Sequence, residues 1–160
     1  MTIILISNGK EEYITIPNEA IRIRVISNSN DNYDVEKKEK LKDRLNIKLN
    51  ELISSVDNIN KAREIIKNNL ENINSFVDKT LKELNYDIDY NLNFGYNFFP
   101  EKIFNDILYN SGYYESLVVT LGSGKGPNYW CVLYPPLCSI DNRDNAEYKI
   151  LIKEIIDKYL

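Results

Sequence analysis

Apolar residues recur at helical spacing through two long segments in the first half of the chain. A first helix is predicted from Asp31, which suits an N-cap, to about Ser55, and a second from about Asn58 to Asn85. Because only a short break separates them, they should form a helical hairpin whose apolar stripe belongs to a core. The residues of this stripe are Leu41, Leu45, Leu49, Leu52, Val56, Ile59, Ala62, Ile66, Leu70, Ile73, Val77, Leu81 and Leu84.

Strict alternation of apolar and polar residues predicts strands on either side of these helices. The segment Ile21–Ser27 places Ile21, Ile23 and Val25 on one face. Along Tyr86–Phe98, aromatic and aliphatic residues alternate with aspartate, asparagine and glycine. Such a pattern is typical of an antiparallel sheet that is covered on one side.

Residues with special backbone requirements are concentrated between Gly112 and Cys138. This segment contains four of the six glycines, the only tryptophan and both cysteines. Leu117–Leu121 and Tyr129–Tyr134 alternate on either side of a glycine-rich connection, which predicts a β-hairpin. Two consecutive prolines then end the second strand, because proline cannot donate a ladder hydrogen bond.

The order of these elements predicts an α+β fold. We expect a largely antiparallel sheet of about four strands, covered by the helical hairpin and by a C-terminal helix over Ala146–Leu160. Pro100–Tyr109 is predicted to be a short helix or turn. The length of 160 residues suits one domain, so residues 1–20 are assigned to an N-terminal lead-in and residues 21–160 to a single domain.

Composition excludes several functional classes. The formal net charge is −4 and no basic cluster is present, which argues against nucleic acid as the main partner. Histidine is absent, which removes Ser-His-Asp and Cys-His catalysis and histidine-containing zinc sites. The glycine cluster does not form a phosphate-binding loop, because Lys125 is followed by Gly126 and Pro127 and then by a strand pattern. Catalysis by carboxylates, by lysine or by a cysteine without a histidine partner stays possible.

The two cysteines, Cys131 and Cys138, allow three interpretations. They could be free thiols in a core, or a metal pair, although no further cysteine or histidine exists to complete a zinc site. A disulfide is favoured, because the intervening prolines could return the chain on itself. Closing so short a loop stabilises by roughly 2 to 3 kcal/mol and requires an oxidising compartment.

The N-terminus does not settle the compartment. Thr2–Ile6 is apolar, but it lacks a basic flank and is shorter than the roughly 7 to 15 residues of a signal-peptide core. No other segment approaches the roughly 18 apolar residues of a membrane span. As written, the chain shows no export signal.

Taken together, the motifs resemble the stage II sporulation protein R (SpoIIR) family. The departures from the family pattern are Asn110 and Ser111 in place of Pro-Ala, Ser116 in place of Ala, Tyr129 in place of Trp, and Tyr134 in place of Phe. The matching positions are Asn28, Ser29, Lys38, Lys40, Asp43, Phe99, Pro100, Gly112, Tyr114, Glu115, Leu117, Gly122, Gly124, Gly126, Asn128, Trp130, Cys131, Val132, Pro135, Pro136, Leu137 and Cys138.

This resemblance implies a secreted signalling protein of endospore-forming bacteria, with neither enzymatic activity nor a cofactor. Such a protein is made in the forespore and exported into the space between forespore and mother cell. There it activates the membrane-embedded aspartic protease SpoIIGA, which leads to processing of pro-sigma-E. Secretion would make Thr2–Ile6 the tail of a trimmed export signal.

A signal delivered by contact needs a rigid surface, and the glycine hairpin, the tryptophan and the Pro-Pro loop are the candidates for it. The alternative role for these residues is to maintain the fold, which Trp130 and Leu137 suit better than Lys125 does. The candidate partner-binding residues are Tyr114, Glu115, Gly124, Lys125, Gly126, Asn128, Tyr129, Trp130, Pro135 and Pro136.

Two functions from other classes stay open. An extracytoplasmic hydrolase could use Glu115 as an acid or base, which requires a cleft around this residue and a raised pKa. A thiol redox protein could use Cys131 and Cys138.

Overall fold

Two four-stranded sheets and four helices make up the part of the chain that the structure, a computed structural model, describes. That part comprises residues 5–8, 11–104, 106–138 and 145–159. The strands are β1 (Leu5–Asn8), β2 (Glu11–Thr15), β3 (Ile21–Ile26), β4 (Tyr90–Phe99), β5 (Lys102–Phe104), β6 (Ile107–Tyr109), β7 (Gly112–Leu121) and β8 (Asn128–Tyr134). The helices are α1 (Asn32–Ile53), α2 (Ile59–Asn68), α3 (Leu70–Glu83) and α4 (Asn145–Tyr159).

The main sheet has the strand order β4-β7-β3-β8. Strand β3 pairs parallel with β7 and antiparallel with β8, while β4 and β7 are antiparallel over ten residues each. Two of its three strand pairs are therefore antiparallel. The α+β class and the largely antiparallel sheet of about four strands are confirmed.

The predicted β-hairpin between Leu117–Leu121 and Tyr129–Tyr134 is wrong. Both strands exist as parts of β7 and β8, but β3 lies between them. The glycine-rich connection therefore crosses the end of β3, and its backbone bonds to the segment that leaves that strand. Gly126 N–H donates to the Ser27 carbonyl (2.9 Å), Lys125 N–H to the Asn28 carbonyl (3.2 Å) and Ser27 N–H to the Pro127 carbonyl (3.1 Å).

One face of the main sheet carries the helical core, which packs against α1, α2 and α3. Ile21, Ile23 and Val25 point into it and are fully buried, as their alternation predicted. Helix α1 begins next to Asp31, the predicted N-cap, although the Asp31 side chain makes no capping hydrogen bond.

The second predicted helix is interrupted at Asn69, so α2 and α3 replace the expected single helix. The Asn69 side-chain amide donates to the Ile65 carbonyl (2.8 Å), and its backbone N–H is shared between the Ile65 and Ile66 carbonyls. Asparagine competes in this way with regular helical hydrogen bonding. The apolar stripe continues across the break, and Ile66 and Ile73 are both fully buried.

The opposite face of the main sheet meets a second core, which includes residues of β2, β6 and α4. Helix α4, predicted over Ala146–Leu160, packs here through Tyr148, Ile152 and Ile156, while its Tyr159 contacts Tyr134 of the helical core. Leu160 lies outside the described residues. The small sheet has the order β1-β2-β6-β5. The buried members of the second core are Ile14, Ile16, Ala20, Ile107, Tyr109, Val132, Leu137, Tyr148, Ile152 and Ile156.

Strands β1, β2, β5 and β6 were not predicted. The expectation of a short helix or turn over Pro100–Tyr109 is wrong, because β5 and β6 occupy this segment. Strands of three residues show too little alternation to be recognised in a sequence. Ile14 and Ile16 in the assigned lead-in are buried in the second core. The division of the chain at residue 20 stays a prediction. None of the helices in the described ranges is both long enough and apolar enough to cross a bilayer.

A buried carboxylate joins the exit of β3 to the start of α1. Asp34 accepts hydrogen bonds from Asn28 Nδ2 (2.9 Å), Ser29 Oγ (2.6 Å) and the Tyr86 hydroxyl (2.5 Å). The hydrogen bonds from Ser29, Tyr86 and Asn28 hold the pKa of Asp34 below its ordinary value. The Asn28 side-chain oxygen accepts from Ser123 N–H (2.8 Å), so the network reaches the glycine-rich connection.

Gly126→Ala should destabilise the fold by about 1 to 3 kcal/mol. A Cβ at this position would overlap the carbonyl oxygen of Ser29, which accepts a hydrogen bond from Ser27 Oγ (2.8 Å). Urea denaturation measures the effect. The matched control is Gly95→Ala, where the nearest atom to a Cβ is Asn93 Oδ1 at 3.8 Å, and its midpoint should change little. Equal midpoints for the two variants would contradict the packing described here.

Asp34→Asn should destabilise the fold most near neutral pH. Because the folded-state pKa of Asp34 lies below the ordinary 3.8, the carboxylate stabilises the fold fully above 3.8, and the stabilisation is lost as the pH falls through the folded value. The difference in unfolding midpoint between wild type and variant should shrink below about pH 3.8. Other carboxylates titrate in both proteins, so their contributions cancel in the difference between the two midpoints. A difference independent of pH would refute the role of the charge.

Candidate functional site

The candidate partner-binding residues fall in three places. Tyr114 and Glu115 lie on β7 near a large groove, and Gly124, Lys125 and Gly126 lie in the connection that crosses β3. The remaining residues lie on β8 or in the turn after it. These are Asn128, Tyr129, Trp130, Pro135 and Pro136.

The groove forms where β4 and β7 extend beyond the helices. The apolar face of β4 continues past the helical core to Tyr96 and Phe98, which are 72% and 50% exposed. Tyr113 on β7 is 72% exposed and contacts Phe98, with ring centroids 5.5 Å apart. Tyr96, Tyr113, Glu115 and Arg63 help to line a cavity of about 670 Å³, which we call the Glu115 groove.

Both carboxylate oxygens of Glu115 are bound by Arg63 of α2. Arg63 Nε donates to Oε2 (2.5 Å) and Nη2 donates to Oε1 (2.9 Å), while Nη1 donates to Asn60 Oδ1 (2.8 Å). The hydrogen bond to Glu115 is the main cause that raises the pKa of Arg63. Glu115 is only 8% exposed. This bidentate ion pair joins α2 to β7, and both oxygens of the Glu115 carboxylate are hydrogen-bonded within it.

Tyr114 belongs to the opposite face of the sheet. Its hydroxyl donates to the Asn110 carbonyl (2.8 Å), and its ring stacks on the guanidinium of Arg22 at 3.6 Å from the ring centroid. The structure therefore separates the side chains of Tyr114 and Glu115, which alternate across β7.

The three residues of the connection have different environments. Gly124 has a φ of +63°, and a Cβ there would meet the Thr120 side chain. Gly126 is packed against Ser29. Both glycines thus serve the crossing over β3, while Lys125 is exposed. A binding role for any of them stays a prediction.

Trp130 lies on the face of the main sheet opposite the helices, where two arginines of β3 join it. The pleat of β3 places Arg22 and Arg24 on that face, and Arg24 is the register partner of Trp130. Arg24 Cζ lies 5.6 Å and Lys102 Nζ 4.8 Å from the Trp130 ring centroid. Phe99 packs edge-on against Trp130 at 5.3 Å.

A small cavity of about 170 Å³ opens beside this tryptophan. We call it the tryptophan pocket. Tyr129 borders it, but the Tyr129 hydroxyl accepts a hydrogen bond from Asn46 of α1 (3.0 Å) on the helical side of the sheet. Burial is the main cause that raises the pKa of Tyr129. The pocket is lined by Lys102, Phe104, Tyr109, Asn128, Tyr129 and Trp130.

No acidic side chain in the described part of the chain pairs with the cations near this pocket. Arg22 is 2% exposed, and none of its guanidinium nitrogens has a hydrogen-bond partner among the described residues. Arg24 Nε donates to Asn128 Oδ1 (2.8 Å). Burial lowers the pKa of Arg22, Arg24 and Lys102 below their ordinary values. The sequence patterns did not single out Arg22, Arg24 or Lys102. The signal for the arginines was their alternation with apolar residues along β3, which puts charge on one face of a central strand.

Cys131 and Cys138 form a disulfide with their Cα atoms 5.5 Å apart, so the favoured interpretation of the cysteine pair is confirmed in the structure. The intervening turn contains a cis peptide bond before Pro135, and Leu137 N–H donates to the Val132 carbonyl (3.2 Å). Pro135 is buried and Pro136 is half-buried, so Pro136 offers more surface to a partner.

The matched positions after β3, in the connection, in β8 and in the Pro-Pro turn thus lie close together, and comparison with known proteins identifies the family. The family model for stage II sporulation protein R matches residues 17–144. The chain belongs to the stage II sporulation protein R family. A relative named stage II sporulation protein R, from Bacillus subtilis (strain 168), is 33% identical over 133 residues, which is 83% of this chain. The chain spans 59% of the length of that relative. No solved structure matches the chain.

Replacing both Cys131 and Cys138 by serine should lower the free energy of unfolding by about 2 to 3 kcal/mol, because the unfolded chain regains the entropy of a short closed loop. Denaturant unfolding of the oxidised wild type and the double variant measures this difference. Repeating both curves in excess reductant is the control, since there the difference should nearly vanish. A difference that survives full reduction would mean that the cysteines matter through packing alone.

Proposed function

We propose that this chain is a secreted signalling protein that activates the membrane-embedded aspartic protease SpoIIGA and thereby leads to processing of pro-sigma-E. The activation takes place in the space between forespore and mother cell. Membership of the stage II sporulation protein R family, over residues 17–144, is the observation that carries this proposal. The half-buried disulfide is consistent with it, because such bonds persist in oxidising compartments.

An activator of this kind makes and breaks no covalent bond. It binds the active conformation of the protease more tightly than the inactive one and so shifts the equilibrium between them. A surface that is ordered before binding loses little conformational entropy on contact. The connection that is bonded to β3 and the turn closed by the disulfide supply such order.

The environment of Glu115 weighs against the hydrolase alternative. Glu115 borders a cavity of about 670 Å³, which is the cleft that a hydrolase would require. However, a general acid or base needs an oxygen free to exchange a proton with substrate. Both Glu115 oxygens are instead bound by Arg63, so the pair serves to join α2 to β7.

Reconstitution of the protease in liposomes with pro-sigma-E tests the proposal. Adding the oxidised chain to the extracytoplasmic face should start precursor cleavage, and adding it to the opposite face should not. A protease inactivated at its catalytic aspartate is the control for cleavage by the chain itself.

The amount of chain required separates a ligand from an enzyme. Activation by contact should be stoichiometric with the protease, because each active protease keeps its ligand bound. A hydrolase would act at far lower amounts, since it turns over. Equal cleavage with and without the chain, or cleavage that persists with the inactivated protease, would contradict the proposal.

A further inference from the structure

The tryptophan pocket combines positive charge and hydrogen-bond donors, and no acidic side chain within the described ranges pairs with them. Lys102 Nζ contacts the rings of Trp130 (4.8 Å) and Phe104 (5.8 Å), and no ion pair involves it among the described residues. The indole Nε1 of Trp130 is buried and has no hydrogen-bond acceptor in the described part of the chain. A buried donor without a partner is costly, so Trp130 Nε1 beside the half-buried Lys102 points to a missing acceptor.

The positive charge extends behind the pocket. Arg24 contacts the same aromatic cluster, with its Cζ 5.5 Å from the Phe99 ring centroid and 5.6 Å from the Trp130 ring centroid. Arg22 is stacked on Tyr114 at 3.6 Å and lies 5.8 Å from the ring of Tyr109, which lines the pocket. Cation–π contacts stabilise these groups only in part and leave the sum of three charges uncompensated. In a chain with a net charge of −4, this face therefore stands out as positive.

We propose that the tryptophan pocket binds a side-chain carboxylate of an acidic peptide segment. Lys102 donates to the carboxylate, and the aromatic walls pack against an apolar residue beside it. The exposed side chain of Phe104, which lines the pocket, extends the apolar rim. That the segment belongs to the activated protease rests on the proposed function, but the binding of an acidic peptide does not.

The size and charge of the surface favour a peptide over an anionic lipid surface. A cavity of about 170 Å³ holds roughly five or six waters, which suits one carboxylate side chain. Binding to anionic membranes takes a cluster of roughly 4 to 8 exposed basic residues, whereas here two arginines are held within an aromatic cluster.

Fluorescence anisotropy with a short labelled peptide, in which glutamate alternates with phenylalanine, tests the inference. The wild-type chain should bind this peptide, and the affinity should fall with salt because the contact is between charges. Lys102→Gln should weaken binding by roughly tenfold, as expected for the loss of one charge-assisted contact. Lys102→Arg should restore most of the affinity. Lys67→Gln, which removes the charge of an exposed lysine on α2, should leave the affinity unchanged.

Two further binding measurements test whether the pocket recognises a carboxylate of a peptide. A peptide with glutamine in place of glutamate should not bind, and vesicles of phosphatidylglycerol should not bind in a manner that depends on Lys102. No binding of the acidic peptide, equal binding by Lys102→Gln, or vesicle binding that Lys102→Gln abolishes would each overturn the inference. Should Lys102→Gln fail to fold, comparison of the two peptides on the wild-type chain gives the same decision.

The outcome separates this inference from the proposed function. If the protease is activated while the acidic peptide does not bind, the pocket assignment falls and the signalling role stands. If the peptide binds but the protease does not respond, the pocket stands and the role falls.

Discussion

The position of β3 between β7 and β8 is the constraint on which the rest of the structure depends. As a central strand, β3 must satisfy both of its edges and bury both of its faces. Its apolar residues enter the helical core, and its arginines enter the opposite face. A shift of one residue in register would exchange these two sets and place charge among the helices. The fold therefore requires that the exit of β3 be fixed.

That requirement explains why so many of the matched family positions surround the end of one strand. Asn28 and Ser29 bind Asp34 at the start of α1, and Asn28 also binds Ser123 of the connection. Gly126 gives the connection room to cross close to Ser29. Many of the residues that resemble a recognition motif in the sequence therefore hold the end of the central strand β3 in place. Under the proposal above, the contact surface is the aromatic and cationic region around Trp130.

Local patterns predicted what local physics determines. The faces of β3, the N-terminus of α1 at Asp31, the disulfide and the α+β class follow from alternation, helical spacing and loop length. The insertion of β3 between β7 and β8 could not be predicted, because two adjacent strands with a glycine turn have the local signature of a hairpin. The break at Asn69 depends on one side-chain hydrogen bond. The cluster of Arg22, Arg24 and Lys102 required the tertiary arrangement of β3 and β5, which belong to different sheets.

The central claim is that the main sheet separates a helical face, which stabilises the fold, from an opposite face that carries both the second core and the proposed contact region around Trp130. Hydrogen–deuterium exchange of the oxidised chain, with and without SpoIIGA in membranes, tests it most directly. The account predicts that the protease slows exchange in the edge strands around the pocket, β5 and the first residues of β8, and leaves α1, α2 and α3 unchanged. Slower exchange confined to the three helices would contradict it.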